Sequence, residues 1–122
     1  MKKVIRLALV ILACAITEVV LANPTLRIMP LGDSITYGSG STATAGYRGP
    51  LWTSLKNAGY EVDYVGTQTG NQPTGIDDFD PDHEGYPGWR VSHASKGLLE
   101  QMDDVFATVR DPHVILLRSS LE

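Results

Sequence analysis

Cysteine is nearly absent from this sequence of 122 residues, which contains a single one, Cys14. One cysteine cannot form a disulfide within the chain, so the fold must rest on its packed core. Basic residues are also scarce: ten lysines and arginines stand against fourteen aspartates and glutamates, for a net charge of −4. They form no cluster, so nucleic acid is not expected as a partner. The chain also lacks internal repeats, and its length allows one domain at most.

A secretory signal peptide is the first pattern that the sequence does contain. Two lysines precede a largely apolar run over residues 4–22, and Ala22 provides a small residue for cleavage. Glu18 and the shortness of the clean apolar stretch argue against a membrane anchor. We therefore expect a secreted or periplasmic product, residues 23–122, with no stable membrane association after cleavage. The alternative is a lipoprotein processed at Cys14.

Helices and strands alternate along the predicted mature chain. Hydrophobic patterning and Gly/Pro punctuation predict them in the order β-α-β-α-β, over residues 26–30, 48–58, 61–65, 95–110 and 113–117. This order favours an α/β fold with a parallel sheet and right-handed crossovers. The polar segment 67–92 is predicted to be an ordered functional loop, because it is long and carries aromatic residues.

Ser34 follows directly after the first predicted strand, in the turn Gly32-Asp33-Ser34. Active sites of parallel sheets lie at the carboxyl ends of the strands, which is where this serine falls. A serine there acts as a nucleophile if a base removes its proton and N–H donors stabilise the oxyanion. The N–H of Ser34 and that of Gly66, after the second strand, are the candidate donors. The alternative is an ordinary turn, since Gly, Asp and Ser are common turn residues.

Three segments together resemble the GDSL or SGNH hydrolases, a family of serine esterases and lipases. Leu31-Gly32-Asp33-Ser34-Ile35-Thr36 resembles the family's first block, and Val62-Asp63-Tyr64-Val65-Gly66 is similar to the stretch that carries the second-block glycine. Asp82-His83-Glu84-Gly85-Tyr86-Pro87-Gly88-Trp89 looks like a segment of the carbohydrate-esterase branch, such as acetylxylan esterases.

The resemblance implies a three-layer, flavodoxin-like parallel sheet, of which this sequence holds the first three strands and two helices. It also implies ester hydrolysis through an acyl-enzyme, without a metal or an organic cofactor. Carried over by position, Ser34 is the nucleophile, and Ser34 and Gly66 are the oxyanion donors. The implied substrate is an acetylated polysaccharide or another small acyl ester.

Two family motifs are missing from the sequence. The Gly-x-Asn-Asp block should follow the third strand but residues 118–122 do not contain it, and the Asp-x-x-His motif near the family's C-terminus is absent. We therefore expect little or no activity from these residues alone, and hypothesise a frameshift, a premature stop or a truncated gene model.

The third strand would also have an open apolar edge, prone to aggregation. Of the three histidines, His83 is the best placed to act as a base or to contact substrate, although none is expected to be the true base. His93 is expected near the start of the second helix, and His113 is expected to be structural.

Three other interpretations remain open at this point. Tyr86 and Trp89 could serve a non-catalytic carbohydrate-binding remnant, or simply pack the loop onto the domain. Alternating acidic residues from Asp78 to Asp82 resemble the start of a calcium loop but lack its glycine. The glycine-rich segment 32–40 is conceivable as a phosphate loop, although it has no phosphate-binding lysine.

Overall fold

The computed structural model describes residues 23–41 and 43–119. The predicted signal peptide, including Cys14, lies outside the described residues. Within the described part of the chain, no helix is long and apolar enough to cross a membrane.

Five strands and three α-helices form the described part of the chain. The elements are β1 (Leu26–Gly32), α1 (Ser34–Tyr37), α2 (Arg48–Asn57), β2 (Val62–Tyr64), β3 (Gln68–Thr69), β4 (Asp82–Gly85), a 3₁₀ turn (Leu99–Gln101), α3 (Met102–Thr108) and β5 (Val114–Arg118). The predicted α/β class and parallel sheet are confirmed. All three predicted strands and both predicted helices are present, but the prediction missed α1, β3 and β4.

Strand β1 is the centre of the sheet. Along β1 the main-chain N–H and C=O groups of successive residues point to opposite edges of the strand. The partners of even residues therefore lie on one edge, and those of odd residues lie on the other. Ile28 and Gly32 accept hydrogen bonds from Val65 and Tyr86, which places β2 and β4 on the same edge. The odd residue Arg27 accepts from His113, which places β5 on the other edge. The three strands all run parallel to β1, and only the short β3–β4 pair is antiparallel.

Pro30 marks the point where β1 changes partners. Strand β2 pairs with residues 26–28, whereas β4 pairs with Leu31 and Gly32. Proline has no N–H to donate, so it is tolerated in a central strand only where the ladder is interrupted. Because residue 30 faces the β2/β4 edge, its missing donor coincides with the gap between the two partner strands.

Hydrophobic clusters cover both faces of the sheet. On one face, α2 packs with Ile28, Tyr64 and Phe79 around Trp52. On the other face, Met29 and Val65 pack against α3. A strand buried on both faces needs a continuous apolar run, which residues 28–31 of β1 supply. The three-layer arrangement that the resemblance implied is therefore present.

The helices differ in how well the sequence predicted them. Helix α2 ends as expected at Gly59, where Tyr60 N–H bonds to Leu55 and Gly59 N–H to Lys56, the pattern of a Schellman motif. The helix predicted over residues 95–110 is wrong in its first half, because α3 begins only at Met102. Residues 96–98 make main-chain hydrogen bonds to Arg90 instead, so they are not available to a helix.

The prediction of a loop over residues 67–92 is also wrong in part. Strand β4 lies within it and carries no apolar side chain, yet His83 and Glu84 are both completely buried. A pattern of apolar residues cannot identify such a strand.

Strand β5 is the most exposed strand of the sheet. One edge pairs with β1, and no other described strand lies on its second edge. Ile115 and Leu117 are 43% and 54% exposed. The apolar open edge that the sequence predicted is thus present within the described residues.

Candidate active site

Ser34 begins the four-residue helix α1, directly after the carboxyl end of β1. Asp33 caps this turn, because its side chain accepts a hydrogen bond of 2.9 Å from the N–H of Ile35. The Asp33 carboxylate is buried, whereas Ser34 is partly exposed. No described residue hydrogen-bonds to the Ser34 hydroxyl. The turn therefore places this hydroxyl at the end of the sheet where the carboxyl ends of the parallel strands lie.

Two glycines allow the backbone to pack tightly around this turn. A Cβ on Gly32 would lie 1.8 Å from the carbonyl oxygen of Arg118, and a Cβ on Gly85 would lie 2.5 Å from the nitrogen of Tyr37. Both distances are far inside van der Waals contact, and the opposing atoms belong to the main chain. The position of Ser34 relative to β4 and β5 thus depends on glycine at both places.

Arg48, at the start of α2, is completely buried and holds the far end of α1. Its guanidinium donates to four main-chain carbonyls at 2.9–3.2 Å, those of Thr36, Tyr37, Gly70 and Pro81. Burial lowers the pKa of Arg48 from its usual value. Nothing in the sequence around Arg48 predicts its burial, so its function could not be predicted.

Glu84 is completely buried beside Gly66. Its carboxylate accepts hydrogen bonds from the N–H and hydroxyl of Thr67 and from the hydroxyl of Tyr86. The peptide that follows Gly66 is therefore fixed by a charged acceptor. Gly66 has no room for a side chain, because a Cβ there would lie 2.3 Å from the main chain of His83. The sequence analysis did not single out Glu84, whose only signal was its place in the segment from Asp82 to Trp89.

Tyr86 and Trp89 lie at the ends of a tight turn next to β1. The N–H of Tyr86 donates to the carbonyl of Gly32, and that of Trp89 donates to the carbonyl of Tyr86. Pro87 and Gly88, the latter at φ +80°, occupy the middle of the turn, as in a type II turn. The two rings stack at 4.5 Å with an interplanar angle of 22°. The turn thus brings together the two aromatic rings that were predicted to contact substrate. It is bonded to Gly32, the last residue of β1, two residues before Ser34.

His83 lies in the interior. Its Nδ1 accepts a hydrogen bond from the N–H of Gly85, its ring packs edge-on against Tyr37, and the side chain is completely buried. Burial, with a smaller effect of Arg48, lowers the pKa of His83 to about 4. A contact between this side chain and substrate, one of the sequence-based expectations, does not fit this position. The spacing Asp80-x-x-His83 matches the missing motif by letter only, since Asp80 accepts hydrogen bonds from Tyr64 and Asp82.

The described hydrogen bonds of the other two histidines are made with Arg27 and Ser95. His113 precedes β5, at the amino end of the sheet, opposite the edge that carries Ser34. His93 is exposed in the loop before α3. Among the described residues, no group of three His, Cys, Asp or Glu side chains is arranged to hold a metal ion.

An open cavity of about 550 Å³ adjoins α1. It is lined by Ile35, next to the nucleophile candidate, by Tyr47 and by residues 115–118 of β5. Its apolar character comes from the exposed side chains of β5.

The known proteins to which this chain is similar are esterases. No protein-family model matches the chain. A multidomain esterase from Ruminococcus flavefaciens is 33% identical over 117 residues, which cover 80% of this chain and 14% of that protein.

Solved structures give the same relationship. A family 3 carbohydrate esterase from Clostridium thermocellum matches with a TM-score of 0.59 and 33% identity, over 76% of this chain and 42% of that one. A mutant acetyl esterase with an acetate ion matches with a TM-score of 0.58 over 78% of this chain and 43% of that one; at 24% identity it shows the fold alone. The chain therefore spans less than half the length of each of these relatives. It is similar in sequence and fold to part of the family 3 carbohydrate esterases, which confirms the predicted resemblance to the carbohydrate-esterase branch of the SGNH hydrolases.

Proposed function

We propose that this chain carries the nucleophile of a carbohydrate esterase that removes small acyl groups, in particular acetyl groups, from polysaccharides. The observation that carries the proposal is the position of Ser34. Its hydroxyl lies on a capped turn at the carboxyl end of the central strand, with no described partner of its own. The similarity to a multidomain esterase and to a family 3 carbohydrate esterase supports ester hydrolysis on carbohydrate.

The proposed reaction proceeds in two steps at Ser34. The Oγ attacks the ester carbonyl and passes its proton to a base, and the sugar hydroxyl leaves with a proton, which gives an acyl-enzyme. Water then attacks the acyl carbonyl and releases the acid and the free serine. The N–H groups of Ser34 and Gly66 would stabilise the oxyanion in both steps. Glu84 would support the second donor, because it fixes the peptide between Gly66 and Thr67.

The base is the part of this mechanism that residues 1–122 do not supply. His83 is buried and has its Nδ1 occupied, His93 has its Nδ1 bonded to Ser95, and His113 lies at the opposite end of the sheet. In a well-studied serine protease, loss of the catalytic histidine lowers turnover by about a million-fold. We therefore propose that these residues alone do not hydrolyse esters, and that activity requires a histidine from a segment that this sequence does not contain.

A chimera tests both parts of the proposal. Residues 1–119 would be joined to the segment of the Clostridium thermocellum esterase that lies beyond the aligned part. We expect the chimera to release acetate from acetylated xylan, and the unfused 122-residue chain to release none. Ser34→Ala should abolish the chimera's activity, whereas Ser39→Ala, an exposed serine of the next loop, should retain it. A chimera that is equally active with Ser34→Ala would refute the assignment.

A non-catalytic carbohydrate-binding function is the second candidate, favoured by the Tyr86–Trp89 stack. Two stacked and partly exposed rings can contact the flat faces of sugars. In this case the chain would bind an oligosaccharide with unchanged affinity after Ser34→Ala and lose it after Trp89→Ala, and the chimera would be inactive.

Export is proposed from the N-terminal pattern alone. Residues 1–22 would direct secretion and be removed after Ala22, giving a secreted or periplasmic protein. N-terminal sequencing of the exported product should begin at Asn23. A product that begins at Met1, or one lipidated at Cys14, would contradict this proposal.

A further inference from the structure

The loop after the aromatic turn is closed on itself by main-chain hydrogen bonds. Arg90 N–H donates to the carbonyl of Lys96 at 2.9 Å, and Leu98 N–H donates to the carbonyl of Arg90 at 2.9 Å. Leu98 is almost fully buried and anchors this closure to the domain. The segment 90–98 is thus a fixed ring of backbone that holds two basic residues beside each other.

The basic residues of this ring border a surface cavity of about 320 Å³. It is lined by Gly88, Arg90, His93, Ser95 and Lys96. No described acidic residue forms an ion pair with Arg90 or Lys96, whereas Arg27 pairs with Asp63 and Lys56 with Glu61. In a chain with a net charge of −4, this cavity therefore combines two unpaired cations.

The cavity adjoins the aromatic stack along the chain. Gly88, which lines the cavity, belongs to the turn that stacks Tyr86 on Trp89, and Arg90 follows Trp89 directly. A sugar in contact with the outer face of this stack would have the basic cavity next to it. Because Arg90 and Lys96 both line this cavity, a guanidinium and an ammonium are available to a carboxylate, which accepts hydrogen bonds from both.

We propose that this cavity binds the carboxylate of a uronic-acid residue on the polysaccharide whose acyl esters are the proposed substrate. The inference rests on the proposed function only for the presence of a polysaccharide, since the cavity itself makes no use of Ser34. A polysaccharide that carries uronic acids would thereby bind at a defined position, with one anionic sugar at the cavity.

Glu100 is the acidic side chain that opposes such a ligand. It accepts a hydrogen bond from Ser92 and lies next to Gly97. Hydrogen bonds from its own N–H and from Ser92 lower the pKa of Glu100, with a further contribution from His93. It is therefore charged at neutral pH, and its removal should strengthen the binding of an anion.

The test compares two oligosaccharides by calorimetry. They are an acetylated xylo-oligosaccharide with one glucuronic acid and the same molecule without it, each titrated into the full 122-residue chain with Ser34→Ala. Exposed ion pairs contribute little individually, so we expect the charged ligand to bind about five times more tightly. Arg90→Gln combined with Lys96→Gln should remove the preference. The matched control Arg110→Gln, an exposed arginine after α3, should retain it, and Glu100→Gln should increase it.

Three results would overturn the proposal. The first is a preference below about twofold, and the second is a preference that survives the double substitution. The third is binding of inorganic phosphate as tight as that of the charged oligosaccharide, which would indicate a site for free anions. Salt gives a check that needs no substitution: raising NaCl from about 50 mM to about 500 mM should abolish the preference in the unaltered cavity. Because all titrations use Ser34→Ala, their outcome is independent of whether Ser34 is the nucleophile of the chimera.

Discussion

The main-chain N–H of Tyr86 donates a hydrogen bond of 2.9 Å to the carbonyl oxygen of Gly32, two residues before Ser34. This bond extends the β1–β4 ladder to the turn that carries the aromatic stack. The nucleophile candidate and the sugar-contact candidates are therefore attached to adjacent strands. Four predictions follow the contacts that hold these strands together.

Gly85→Ala should destabilise the fold by about 2 kcal/mol, because the new Cβ would collide with the main chain of Tyr37 and Thr36. Gly40→Ala is the matched comparison: Gly40 has φ +73° and open space around it, so only backbone strain of about 1 kcal/mol is expected. Thermal unfolding of the two variants would measure the difference. A Gly85→Ala variant as stable as the wild type would show that β4 and α1 are less closely packed than described.

Arg48→Met should lower the free energy of unfolding by about 3 kcal/mol, because one buried and three partly buried carbonyls lose their donor. Arg48→Lys keeps the charge but offers fewer donors, so it should lose less. Urea unfolding followed by the fluorescence of the nearby Trp52 would report both. Arg110→Met, at an exposed arginine, should leave the urea midpoint unchanged, and an equal loss in that control would contradict the specific function of Arg48.

Glu84→Gln should destabilise the fold by about 2 kcal/mol, because an amide replaces a carboxylate that accepts three hydrogen bonds and turns a donor toward one of them. Asp77→Asn, at an exposed acid of the preceding loop, should have no measurable effect. Burial and the hydrogen bond to Glu84 raise the pKa of Tyr86. The ultraviolet titration of tyrosine should therefore shift toward lower pH in Glu84→Gln, and an unchanged titration would exclude the contact.

Acid should destabilise the fold through His83. Its folded-state pKa of about 4 lies below the ordinary value of 6.5, because burial disfavours the charged ring. Between these two values the unfolded chain binds a proton that the folded chain does not, so this contribution is complete above pH 6.5 and is lost as the pH falls toward 4. The slope is about 1.4 kcal/mol per pH unit at most, roughly 3 kcal/mol in total.

Unfolding free energies measured from pH 7 to pH 4 would test this dependence. His83→Gln should flatten the curve, since glutamine can accept the Gly85 hydrogen bond without titrating. His93→Gln, at an exposed histidine, should leave the slope as in the wild type. The same slope in all three proteins would assign the acid sensitivity to other groups.

The helices and strands that could be predicted from the sequence are those that bury apolar side chains. Strand β1 carries a continuous apolar run, and Gly32-Asp33-Ser34 after it marks the turn, so the position of Ser34 could be predicted. Helix α2 has a stripe that includes Trp52 and ends at Gly59 as its sequence indicates. In each case the residue types predict the element, and its boundary to within two residues.

The parts that the sequence did not predict depend on polar contacts between distant segments. Strand β4 buries His83 and Glu84 against Gly85 and Thr67, and no periodicity reveals such partners. Helix α3 is shorter than its apolar pattern because Arg90 bonds to the main chain of residues 96–98. Tertiary hydrogen bonds thus override the local preference in both places.

The four bonds from Arg48 all end on main-chain carbonyls. Every amino acid carries that group, so substitutions at Tyr37 or Pro81 can preserve the bonds as long as the backbone keeps its path. The side chain of Arg48 is therefore the one residue-specific part of the contacts that join α1 to two separate loops. The loops around Ser34 can change their side chains, and with them the sugars they contact, while the nucleophile turn stays attached through Arg48.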